Sequence, residues 1–209
     1  MKNLVVWSLI SLLTTLVWTQ ENPARISYVD CKILSQTAGT DTLFGVPVKC
    51  NKIRVAGTHK VQTFCNYGDP SAARYEQVKA EAEISVIPDS SGTIKDSLLS
   101  ALKASIQRQE AYAASNGYAA SVVPDFALFS LGGDTILAMP PFHSGAGNYG
   151  IWYIGGTVYK IKLTGGEQLA SLKIFLRSNF KLTYKGAVLN PDAGKCSIDL
   201  LRSFLEQSR

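Results

Sequence analysis

The stretch CNKIRVAGTHKVQTFC, Cys50 to Cys65, sets two cysteines at equal distances from the pair Gly57-Thr58. A two-residue hairpin turn accepts glycine at its first central position. Counting outward from that pair sets Ala56 against His59, Arg54 against Val61 and Cys50 against Cys65. Directly opposed residues on antiparallel strands have Cα atoms ~4.5 to 5.5 Å apart, within the span of a disulfide. The stretch therefore predicts an N-terminal hairpin closed by a Cys50–Cys65 bond. Four cysteines allow three pairings, and this one leaves Cys31 with Cys196. The second bond would close a long loop, for which chain entropy predicts a gain of about 4 kcal/mol or more.

Upstream, Arg25 to Leu34 reads as a strand and "TAGTD" as the turn after it. At the N-terminus, Lys2 precedes an uncharged apolar run from Leu4 to Trp18 and then polar residues, the pattern of a secretory signal peptide. The run falls short of the ~18 residues that suggest a spanning helix, although an uncleaved anchor is the alternative. Residues 1–19 are expected to be removed, leaving 20–209 as a single secreted domain, extracellular or periplasmic, with no stable membrane span. Disulfides suit that oxidising compartment. The full chain has a formal charge of +5, and losing Lys2 leaves 5 − 1 = +4. The basic residues are scattered, with no run such as a nucleic-acid arm would show, so nucleic acid is not an expected partner.

Downstream, Val78, Ala80, Ala82, Ile84 and Val86 alternate with polar residues, the period of a half-buried strand. "TIKDSLLSALKASIQRQEAYAASNG" reads as an amphipathic helix, with a capping-box-like start at Thr93 and Asp96 and a stop at Asn116-Gly117. Its apolar side comprises Ile94, Leu98, Ala101, Leu102, Ile106 and Tyr112. Gly132-Gly133-Asp134 and Gly155-Gly156 read as turns of two further hairpins. In the last arm, Tyr159, Ile161 and Leu163 form a dry face, and Val158, Lys160 and Lys162 a wet one. "EQLASLKIFLRSNF" fits a helix or a strand. Lys181 to Leu189 reads as a strand and Ser197 to Gln207 as a terminal helix. The expected fold is α+β: an antiparallel sheet, flat or curved, covered by one long amphipathic helix, with a disulfide-linked N-terminal hairpin.

Of the two histidines, His59 falls beside the expected turn, where exposure is ordinary, and His143 lies in "PPFHSGAGNYGIWYIGG". No HxH or HExxH spacing appears, so no metal is expected. A thiol hydrolase would need Cys65 as nucleophile, His143 as base and Asn148 to orient it, but bonding Cys65 to Cys50 removes the thiolate. No G-x-S-x-G turn or phosphate loop is present, and no cofactor is implied. What remains is a pliable loop flanked by aromatics. Phe142, His143, Tyr149, Trp152 and Tyr153 are the candidate binding residues, for an apolar or glycan ligand or a protein partner. The sequence favours a non-catalytic binding protein with an apolar pocket between helix and sheet, the Cys65–His143 hydrolase being the alternative.

Overall fold

Strand β3 runs from Val46 to Phe64 straight through Gly57 and Thr58. The expected turn is absent because of what packs on Gly57. A Cβ there would overlap the side-chain oxygen of Asn179 and lie 2.7 Å from its Cγ. This glycine marks a close approach of another element, not a reversal of the chain. Cys50 and Phe64 therefore lie on one strand, about 45 Å apart at ~3.3 Å per residue, and the Cys50–Cys65 bond is overturned. Cys31 and Cys196 are free thiols, as is Cys50, so the second expected bond is absent too.

The computed structural model describes residues 24–64, 68–141, 149–166 and 171–208. The expected leader, Cys65, Phe142, His143 and Asn148 lie outside them. In chain order, β1 (Ala24–Tyr28), β2 (Cys31–Leu43), β3 and β4 (Arg74–Pro88) lead to helix α1 (Thr93–Ser115). Then follow β5 (Ala127–Leu131), β6 (Asp134–Met139), β7 (Tyr149–Ile154) and β8 (Thr157–Gly166). Helix α2 (Leu172–Asn179), β9 (Phe180–Tyr184), β10 (Ala187–Val188) and α3 (Ile198–Gln207) complete the described chain.

Seven strands form one antiparallel sheet in the order β2-β3-β4-β8-β7-β6-β5, and three form a second in the order β1-β9-β10. The expected cover of one long helix over one sheet is thus corrected: the large sheet lies between two unlike layers. Its inner face, with Val55, Ala82, Ile84, Trp152, Tyr159 and Ile161, packs against the small sheet and α2. Its opposite face, the helix face, meets α1 and α3 through Leu98, Leu102, Ile106, Leu128, Leu137 and Leu201. Helix α1 has the extent read from the sequence, but it shares its layer with α3, to which Glu110 binds Arg202. Tyr112 departs from the expected apolar side and is exposed.

Local turn chemistry explains the other differences. Four hairpins turn on Phe44-Gly45, Gly132-Gly133, Gly155-Gly156 and Lys185-Gly186, each with both φ angles positive. Such turns match the right-handed twist of the strands. The two glycine pairs are legible in sequence, whereas Phe44 and Lys185 are not turn formers. "TAGTD" consequently lies inside β2, and the expected Lys181–Leu189 strand folds back at Lys185. Arg25–Leu34 breaks at Asp30, φ 51°, so β1 and β2 enter different sheets. Val158, expected to be wet, is fully buried because an apolar cluster beside α1 covers the helix face there.

Candidate functional site

Proline ends β4 at Pro88, since it has no N–H for the ladder. The next residue, Asp89, is 7% exposed. Its carboxylate accepts the backbone N–H groups of Ile94 at 3.2 Å and Lys95 at 2.9 Å, and its own N–H donates to the Gly156 carbonyl at 2.8 Å. Asp89 thereby fastens the first turn of α1 to the β7–β8 turn and places negative charge at the positive end of the helix. The expected capping box does not form: the N-cap is Gly92, with no side-chain cap bond. Tyr153 completes the arrangement. Burial raises its phenol above the ordinary value, and the charge of Asp89 and a hydrogen bond to it raise it further.

Beside this anchor lies a cavity of about 400 Å³. The end of β4 (Ile87, Pro88), the first turns of α1 (Ile94, Ser97) and the β2–β3 hairpin (Leu43, Phe44) form its walls. Phe44 and Val46 at its edge are 39% and 56% exposed, large apolar groups held at the surface. Ser90, Ser91 and Thr93 add hydroxyls on one side. A second cavity of about 380 Å³ lies across the same helical turns, against Leu98, Leu99, Leu137 and Tyr153.

Strand alternation divides the aromatics read as a binding group. Tyr149 and Tyr153 lie on the helix face and pack on the cluster of Leu43, Ile87 and Val158. Trp152 lies on the inner face, 1% exposed, within the main core. A Cβ on Gly150 would come within 2.6 Å of the indole, so the ring lies back along its own strand. Tyr149 and Tyr153 are therefore brought together, Trp152 is not, and Phe142 and His143 lie outside the described residues.

Another group of reactive residue types was not legible in sequence. His59, expected to be exposed, is 2% exposed, with its ring centroid 5.8 Å from that of Phe175 in an edge-on contact. Its Nε2 accepts the Ser171 N–H at 3.5 Å, so the neutral ring carries its proton on Nδ1, which has no partner among the described residues. Asn179 donates to the carbonyls of Thr58 and Phe175, and the Cys31 thiol donates to the Asn179 carbonyl at 3.5 Å. Cysteine, histidine and asparagine thus gather where α2 meets β3. Their titration runs against thiol catalysis: burial raises the Cys31 thiol and lowers the His59 imidazole, the reverse of a thiolate–imidazolium pair. The group acts as a clamp between helix and strand. Compared with protein-family models, curated proteins and solved structures, the chain has no match.

Proposed function

We propose that this chain is a secreted, non-catalytic binding protein that holds a small apolar ligand between α1 and the large sheet. The observation that carries the reading is the cavity of about 400 Å³, walled by Leu43, Phe44, Ile87, Pro88 and Ile94. Ligand pockets commonly have volumes of about 300 to 1,000 Å³ and are mostly apolar, with a few polar groups that orient the ligand. The hydroxyls of Ser90, Ser91 and Thr93 would meet a polar end of the ligand. Tyr149 packs on the same cluster as Leu43 and Ile87, beside the cavity. The Leu4–Trp18 run supports export of the chain.

Titration with N-phenyl-1-naphthylamine, an uncharged apolar dye, tests the proposal. Saturable binding is expected, and Ser97→Phe, which fills the cavity from the helix side, should weaken it about tenfold with the fold retained. Replacing Tyr149, which packs on the cluster beside the cavity, by alanine should weaken it as well. A dye that fails to saturate, or that binds Ser97→Phe as it binds the parent chain, overturns the reading.

A further inference from the structure

Helices α1 and α3 cover only part of the helix face of the large sheet. Beyond the cluster of Leu43, Cys50, Ile87 and Val158, on which Ile94 of α1 packs, no described helix lies over β2, β3, β4 and the outer part of β8 on that face, because α2 packs on the inner side. Alternation and register put Lys52, Arg54 and Lys60 of β3 on this open area, with Lys160 and Lys162 of β8. Lys32, opposite Ala56, and Lys79, opposite Thr58, join them. The carboxylates there are Asp41, Glu81 and Glu83, with Asp30 beside Lys32. Seven cations less four carboxylates give 7 − 4 = +3, against +5 for the whole chain. Charge that is scattered along the sequence is gathered on one face of one sheet.

Three of these carboxylates are already matched, in Lys52–Glu83 at 3.3 Å, Arg54–Glu81 at 2.8 Å and Lys160–Asp41 at 2.8 Å. Lys32, Lys60 and Lys162 are exposed and form no ion pair with a described residue. A depression of about 650 Å³, lined by Lys32, Thr58, Lys79 and Glu81 among others, opens on the same face. We propose that this face docks a sulfated polysaccharide. Same-face positions recur about every 6.6 Å along a strand and ~4.8 Å across strands, so a linear chain of fixed negative charges can meet several of these cations at once. Single-stranded nucleic acid would need stacking rings. Between Lys52 and Lys60, and between Gln77 and Glu83, no Phe, Tyr or Trp occurs, and the rings on this face, Tyr75 opposite Gln62 and Tyr149 opposite Lys162, stand at its margins and form no continuous track. A bilayer surface would need large apolar anchors among the cations, and these same stretches direct Ile53, Val55, Val78, Ala80 and Ala82 to the inner face, with only the small Ala56 on the basic one.

The test compares two triple variants of equal net charge by heparin affinity. Lys32→Gln, Lys60→Gln and Lys162→Gln together should weaken heparin binding about tenfold, and raising salt should weaken the parent chain's binding similarly. Lys103→Gln, Lys181→Gln and Lys195→Gln together, on exposed positions elsewhere, should bind almost as the parent does. Equal weakening in both variants would show attraction by net charge alone and overturn the proposal. So would absence of heparin binding, or tighter binding of oligo(dT) or of phosphatidylglycerol vesicles. The parent measurement needs no variant to fold, and the dye titration of the apolar cavity is a separate readout.

Discussion

Gly57 shows how one missing side chain can determine a local structure. Asn179 is fully buried over it and is held by the carbonyls of Thr58 and Phe175, so it cannot swing aside without losing buried hydrogen bonds. Gly57→Ala should therefore lower the unfolding free energy by about 1 to 3 kcal/mol, read from urea denaturation. At an exposed turn, as the sequence alone implies, the same change would be far milder. His59 supplies a second prediction at this scale. Its folded-state pKa is depressed by burial, so the unfolded chain takes up a proton first as pH falls. Its share of stability is complete above the unfolded value of about 6.5 and is lost as pH drops below it. Stability measured between about pH 7.5 and 5 should fall toward the acid side, and His59→Phe should flatten that slope relative to the parent. An unchanged slope would place the titration elsewhere.

At the scale of elements, α1 is the clearest case of agreement between pattern and packing. Leu102 has no exposure, whereas its neighbour Lys103 points to solvent. Leu102→Ala should lower stability by about 2 to 5 kcal/mol and Lys103→Ala by little, measured by thermal or chemical unfolding. Equal small effects would mean that the helix buries another side. The start of α1 is capped otherwise than expected for a physical reason: the N–H groups of Ile94 and Lys95 are satisfied by Asp89, several residues upstream, and not by a side chain at the cap position. Strands were legible where burial follows period two, as in β4, where Val78, Ala80, Ala82 and Ile84 are all buried. The period failed at Val158, because both faces of the sheet are covered at that point.

In the whole molecule, packing between layers replaces the expected cross-links. The large sheet buries its inner face against α2 and the small sheet, and the free thiols of Cys31, Cys50 and Cys196 take no part in a bridge. Alkylation of the unreduced, denatured protein should therefore label all three positions, and reductant should leave the unfolding midpoint unchanged. Protection of Cys50 would contradict the continuity of β3. By itself the sequence determined the helix over residues 93–115, the hairpins at the two glycine pairs and the alternation of β4, since each depends on residues adjacent in the chain. The candidate site was legible only in outline: the aromatics were visible, but strand parity separates Trp152 from Tyr149 and Tyr153. Tertiary structure alone decided that Gly57 packs beneath Asn179, that His59 is buried, and that dispersed lysines share one sheet face. Those outcomes depend on residues distant in sequence that meet only when the layers close, and no local period or turn propensity encodes which distant side chain arrives.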